Sequence, residues 1–181
     1  GKGGIAIDPK TLTEPELERL TRLFTKRLAH AIGPDKDIPA PDVNTDGRIM
    51  AWMLDAFEKE YGQQAPGTFT GKPLELGGSL GRNEATGQGG VYVLEAYAQK
   101  KKLIPKKTSI AVQGFGNVGA HAALYAHQRG AKILAVSDVA GGIYNKNGLD
   151  IPKLFEHYRT KKTLEGFAGC DKLTNEELLC L

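Results

Sequence analysis

Hydrophobic positions take three textures along the 181-residue chain. In the first third they recur at helical spacing. Leu17, Leu20, Phe24 and Leu28 mark one apolar stripe, and Ile49, Trp52, Met53 and Phe57 mark another. Positions three and four apart share a helix face, so each stripe predicts an amphipathic helix with one buried side. The first should begin at Thr13-Glu14-Pro15-Glu16, where the threonine and the glutamate three residues on satisfy each other's orphan groups. Gly33-Pro34 ends it. The second should run from about Thr45 to Tyr61, with Gly62 as its stop. Ahead of both, Ile5-Ala6-Ile7 reads as a short strand.

The second texture, residues 63–73, carries Pro66, Gly67, Gly71 and Pro73 and reads as a linker. The third begins with dense glycine from Gly77 to Gly90 and a helix from about Ala85 to Lys101. After a break at Pro105, the apolar run Ser109-Ile110-Ala111-Val112 predicts a buried strand. A glycine turn and an alanine-rich helix to Gly130 follow, then a second apolar strand, Ile133 to Val136, ending at Ser137-Asp138. Strand, helix and strand in that order predict the first βαβ unit of a parallel sheet. The expected fold class is α/β. Residues 1–62 read as a helix-containing unit, 63–73 as a linker, and 74–181 as the start of a parallel α/β unit.

Composition narrows the function classes. Hydrophobic residues make up 40% and charged residues 25%, near the average for soluble globular domains. The 24 basic and 21 acidic side chains leave a net charge of only +3, and the basic ones are dispersed apart from short runs such as Lys100–Lys102 and Lys106–Lys107. A nucleic-acid partner is therefore not expected. No stretch approaches the roughly 18 consecutive apolar residues of a membrane span, and no signal-peptide pattern opens the chain. Cys170 and Cys180 read as free thiols of a reducing, cytosolic compartment. His30, His121, His127 and His157 are scattered, and no metal site is expected. The start at Gly1 and the apolar close Leu178-Leu179-Cys180-Leu181 read as an internal segment of something longer.

The strongest chemical signal is Gly114-Phe115-Gly116-Asn117-Val118-Gly119. A lone G-x-G-x-x-G is weak, but this one follows an apolar strand and opens a helix. Asp138 closes the next strand 19 positions after Gly119, near the spacing of about 20 expected for a ribose ligand. Gly114 permits the tight turn, Gly116 lets main-chain amides approach a pyrophosphate, and Gly119 lets helix and strand pack closely. The helix start at Asn117-Val118 then offers unpaired N–H groups and a positive dipole end. A carboxylate at position 138 accepts from ribose hydroxyls and repels a 2′-phosphate, which favours NAD and leaves NADP as the alternative. The bland readings make Asp138 a cap for the turn into Gly141-Gly142, or have its charge offset by nearby Lys146.

Lys2, in Gly-Lys-Gly-Gly, and Asp42, before Thr45, are each weak signals alone. A lysine crowded or desolvated on such a turn yields a neutral amine. An aspartate ahead of a helix is ordinarily a turn residue. In combination they carry more. Gly1-Lys2-Gly3-Gly4-Ile5, Pro39-Ala40-Pro41-Asp42-Val43-Asn44-Thr45, Gly77-Gly78-Ser79…Arg82…Thr86-Gly87 and the Gly114–Gly119 turn, in this order, closely resemble the glutamate dehydrogenase branch of the glutamate, leucine, phenylalanine and valine dehydrogenases.

The resemblance implies NAD-dependent oxidative deamination of L-glutamate to 2-oxoglutarate and ammonia. Lys2 would be the active-site lysine and Asp42 its proton-transfer partner. Thr86 would stand near the nicotinamide carboxamide, Arg82 at the cleft wall, and Asn117 at the cofactor. It further implies that residues 1–62 are the end of a substrate and oligomerisation domain and 74–181 the start of a Rossmann-like dinucleotide-binding domain, joined by the linker 63–73, and that the protein is a homo-oligomer, most naturally a hexamer. Two other readings remain: a branched-chain or aromatic amino-acid dehydrogenase, and a non-catalytic dinucleotide-binding module. The prolines of Pro39-Ala40-Pro41-Asp42 favour the glutamate branch. A bare binding module needs neither Lys2 nor Asp42.

Overall fold

The computed structural model of the chain describes residues 3–103 and 108–181. Two compact units divide it, Gly1–Arg82 and Asn83–Leu181. Lys2, Pro105 and the Lys106–Lys107 run lie outside the described residues.

The first unit is built on two fifteen-residue helices, α1 (Glu14–Leu28) and α2 (Gly47–Tyr61). At the start of α1 the Glu16 carboxylate reaches back to the Thr13 amide at 2.8 Å and accepts from the Thr13 hydroxyl at 2.6 Å. These donors hold the Glu16 carboxyl below the usual carboxylate range. The two apolar stripes meet: Ile49, Met50, Met53, Leu54 and Phe57 of α2 are buried, with Leu17, Phe24 and Leu28 of α1 packed against them. A side chain such as Phe57, 1% exposed, contributes about 1.5–3 kcal/mol by leaving water. Asp55 of α2 bonds Lys59 at 2.9 Å and pairs with Arg22 of α1, and these cations hold its carboxyl below the usual range. Residues 63–73 also feed this core, because Ala65 and Phe69 are buried in it.

Three local expectations shift. Helix α1 ends at Leu28 with Ala29 as its C-cap, ahead of Gly33-Pro34. Ile5–Ile7 forms no strand among the described residues. The Ile7 amide instead turns back onto the Ile5 carbonyl at 3.0 Å; an extended segment needs a neighbouring strand, and none among the described residues pairs with it. Helix α2 starts at Gly47 rather than near Thr45. Asp46 takes the N-cap, its carboxylate accepting from the Ile49 amide at 3.0 Å.

The second unit opens with α3 (its residues from Asn83 on, in a helix spanning Arg82–Lys101). β1 (Ser109–Gln113), α4 (Asn117–Gln128) and β2 (Lys132–Asp138) follow, and β1 and β2 pair in parallel as the sequence predicts. β1 is not the buried strand expected: it ends the strand order of the described sheet, and its residues alternate between exposed and half-buried. The sheet then changes sense. β3 (Gly141–Tyr144) turns back antiparallel on β2, α5 (Ile151–Lys161) crosses, and β4 (Asp171–Leu173) pairs antiparallel with β3. The order is β1-β2-β3-β4, and α6 (Asn175–Leu179) follows behind its own capping box at Thr174 and Glu177. Phe115, Ala123, Ile133, Val136, Ile151 and Leu154 are fully buried at the centre of this unit.

Candidate active site and cofactor turn

In the second unit, chemistry gathers at the carboxyl ends of β1 and β2. Gly114 leaves β1 with φ +87°, a left-handed conformation that side chains rarely adopt. Phe115 drops into the core, fully buried, and stacks edge-on against Tyr158 of α5. Gly116 caps α4, and a Cβ there would meet nothing within 4 Å, so the front of the turn is open. Gly119 is the opposite case. A Cβ would lie 1.8 Å from the Gly114 carbonyl oxygen, so α4 and the end of β1 touch only because that atom is absent. The first amides of a helix have no partners within it, and here they follow a glycine N-cap that makes no side-chain cap bond. Val118 is half exposed at this helix start.

Asn117 donates its side-chain amide to the Asn83 carbonyl in the first turn of α3, at 2.8 Å. His121, one turn along, donates Nδ1–H to the Asn117 carbonyl at 2.7 Å and packs edge-on to Phe155. Gly87 completes the join. A Cβ on it would lie 2.7 Å from Ala122 N and Val118 O, so α3 and α4 cross at contact distance. Gly87 was visible only as part of a glycine-rich stretch, with nothing local to say which helix it would meet. Thr86, beside it, is exposed, and Arg82 is half-buried where α3 begins.

Asp138 ends β2 as expected and is half-buried. Its carboxylate accepts from the Ala140 amide at 2.8 Å and from the Leu164 amide at 3.1 Å, and its carbonyl accepts from Asn175 Nδ2 at 3.1 Å. The turn-capping reading is thus realised, and it reaches further than the turn by tying in the loop after α5. That loop is also pinned by Asn145, which donates to the Gly169 carbonyl at 2.8 Å, and by His157 against the Glu165 carbonyl at 3.1 Å. A cleft of about 450 Å³ opens beside Asp138, and Lys172 lines it as well. Cys170 lies in the same wall, its thiol pushed up by burial and by the nearby Asp171.

In the first unit, Asp42 stands on an exposed turn at the end of Pro39-Ala40-Pro41. One carboxylate oxygen accepts from the Val43 amide at 2.9 Å, and the main chain of Asp42 is bound on both sides by the Thr45 hydroxyl. Lys2 lies outside the described residues. No group of three or more histidine, cysteine, aspartate or glutamate side chains gathers as a metal site among the described residues, and no described helix is long and apolar enough to cross a membrane.

A parallel strand–helix–strand opened by this glycine turn defines the second unit as a Rossmann-like α/β fold. The chain belongs to the glutamate/leucine/phenylalanine/valine dehydrogenase family, whose model matches residues 77–181, while the model of the Glu/Leu/Phe/Val dehydrogenase dimerisation domain matches residues 1–59. A glutamate dehydrogenase of Thermotoga maritima is 50% identical over 99% of the chain and 43% of its own length. A catabolic NAD-specific glutamate dehydrogenase of Bacillus subtilis is 46% identical over 99% of the chain and 42% of its own length. An NADP-specific glutamate dehydrogenase of Synechocystis is 44% identical over 99% of the chain and 44% of its own length. A solved hetero-hexameric glutamate dehydrogenase of Thermus thermophilus, in a leucine-bound form, superposes with a TM-score of 0.91 at 42% identity, over 98% of this chain and 42% of that one. The chain therefore spans about two-fifths of the length of the relatives it matches.

Proposed function

We propose that the complete protein is a nicotinamide-dinucleotide-dependent glutamate dehydrogenase, of which residues 1–62 close the substrate domain, 63–73 link, and 74–181 open the cofactor domain. The reaction takes L-glutamate, NAD⁺ and water to 2-oxoglutarate, ammonium, NADH and a proton. The observation that carries this reading is the pairing of an Asp42 turn, in its four-motif context, with a glycine turn built to leave a helix start bare.

The residues fit a dinucleotide. The open front at Gly116 and the amides from Asn117 to Gly119 suit a pyrophosphate. Asp138 is oriented by two amide donors and keeps lone pairs for a ribose hydroxyl. Thr86 serves the nicotinamide carboxamide and Arg82 the cleft wall. When bound, the nicotinamide accepts the substrate's α-hydride. Lys2, as a neutral amine, activates the water that attacks the imino carbon, and Asp42 moves protons to and from the substrate nitrogen.

NAD is the preferred cofactor because a carboxylate at 138 opposes a 2′-phosphate. NADP has one observation in its favour: Lys172 lines the cleft that Asp138 borders and supplies the opposite charge. The relatives' identities do not decide, since an NAD-specific and an NADP-specific enzyme stand at 46% and 44%. The test is the complete enzyme with NAD and either L-glutamate or L-leucine, followed by absorbance. A large preference in kcat/KM for glutamate is expected. Comparable values for the two amino acids overturn the glutamate reading.

A further inference from the structure

We propose that Thr45, backed by Gly71, is a positioning residue for Asp42; the proposal rests on the reading of Asp42 as the proton-transfer group. A threonine just ahead of a helix is ordinarily spent on capping it. Here Asp46 caps α2 through the Ile49 amide, so the Thr45 hydroxyl is released from that duty. It is used on Asp42 instead. Oγ1 accepts from the Asp42 amide at 2.6 Å and donates to the Asp42 carbonyl at 3.0 Å, and the Thr45 amide donates to that same carbonyl at 3.1 Å. One hydroxyl can serve as donor and acceptor together, and here it does both for a single residue. The turn it closes requires Asn44 at φ +57°, a left-handed conformation that asparagine tolerates better than most residues. Within that turn the Val43 amide orients the carboxylate through Oδ1 at 2.9 Å.

The turn is also held from behind. The Thr70 amide donates to the Pro39 carbonyl at 3.0 Å. Gly71, at φ +70°, approaches so closely that a Cβ on it would lie 2.6 Å from both Cδ and Cγ of Pro41. Pro41 is rigid and cannot yield as a flexible side chain would. Main-chain placement of Asp42 is thus set on one side by Thr45 and on the other by residues 70–71, while the residue itself stays exposed. The same glycine seats the start of α2, where a Cβ on Gly47 would lie 3.1 Å from the Gly71 carbonyl oxygen. A proton-transfer carboxylate needs this placement as well, because a misplacement of about 1 Å costs on the order of a hundredfold in rate.

The test compares Thr45→Val, Thr45→Ser and Asp42→Asn in the complete enzyme. Steady-state kinetics across pH, NADH titration by fluorescence and thermal melting are recorded for each. Thr45→Val is expected to lower kcat by roughly ten- to a hundredfold, with much smaller changes in the KM for glutamate and in NADH affinity. The acid limb of its kcat–pH profile should move as the carboxylate's surroundings change. Thr45→Ser keeps the hydroxyl and should restore kcat to within a few-fold. A near-normal kcat in Thr45→Val, or an equal loss in Thr45→Ser, overturns the proposal. Asp42→Asn separates the two readings: if it alone abolishes turnover, Asp42 keeps its role and only the positioning fails, whereas a normal kcat in Asp42→Asn removes both. Melting at the wild-type temperature with NADH affinity retained identifies a rate loss as local. If Thr45→Val loses its fold, Thr45→Ala at the same exposed turn is measured in its place, against the same expectations.

Discussion

At the scale of single residues, Asp138 shows how one side chain is given two tasks. Its position at the end of β2 is what a ribose ligand needs, yet both carboxylate oxygens already accept main-chain amides. An amide left without its acceptor costs about 1–3 kcal/mol where water cannot replace it. Asp138→Asn removes the charge but keeps only one carbonyl acceptor, so its NH2 faces the second of the two main-chain amides and the melting temperature is recorded beside the cofactor ratio. It should narrow the ratio of NAD to NADP kcat/KM by about tenfold, the effect of roughly 1.4 kcal/mol of lost repulsion. Asp138→Ala should lower the melting temperature further, because both the Ala140 and the Leu164 ties are broken. Paired assays with the two cofactors check the first point, and an unchanged ratio in Asp138→Asn would leave the residue as a tie alone. The candidate residue was legible because strand end and spacing are local properties. Its second partner, 26 residues on, was not.

At the scale of elements, the junction of β1 and α4 rests on two glycines that act in opposite ways. Gly119 is packed against the Gly114 carbonyl, with no room for a methyl group. Gly119→Ala must push α4 off β1, and overpacking of this kind costs about 1–3 kcal/mol. Gly116 has open space where a Cβ would go. Gly116→Ala should therefore fold normally and lose NADH affinity, by placing a methyl group where a phosphate approaches. Melting temperature and NADH titration on the two variants separate the cases: Gly119→Ala should lose both, Gly116→Ala only the second. If Gly116→Ala binds NADH as tightly as the wild type, the front of this turn is not the phosphate site. Both helices of the first unit were legible from apolar spacing, but not their ends: α1 stops at Leu28 ahead of Gly33-Pro34, and α2 starts behind its Asp46 cap rather than near Thr45. The antiparallel strands β3 and β4 were not read at all. They are four and three residues long, too short to show a period.

At the scale of the whole molecule, the chain is about two-fifths of its relatives' length, and one relative in solved form is a hetero-hexamer. The complete protein is expected to be a hexamer. Mass photometry checks this, and a monomer at micromolar concentration contradicts it. What the sequence by itself determined is the set of things that depend on neighbours along the chain. These are helix faces from period, caps from residue type, the order of strand, glycine turn and helix, and, through the four ordered motifs, the family. What only the tertiary structure decided is which distant groups meet. Gly71 closes on Pro41, Gly87 lies against α4, the Thr45 hydroxyl is spent on Asp42, and Asp138 is bound to Leu164. Periodicity and capping are written in spacings of two to four residues, whereas close approach and hydrogen-bond competition depend on separations in space that the spacing of residues does not encode.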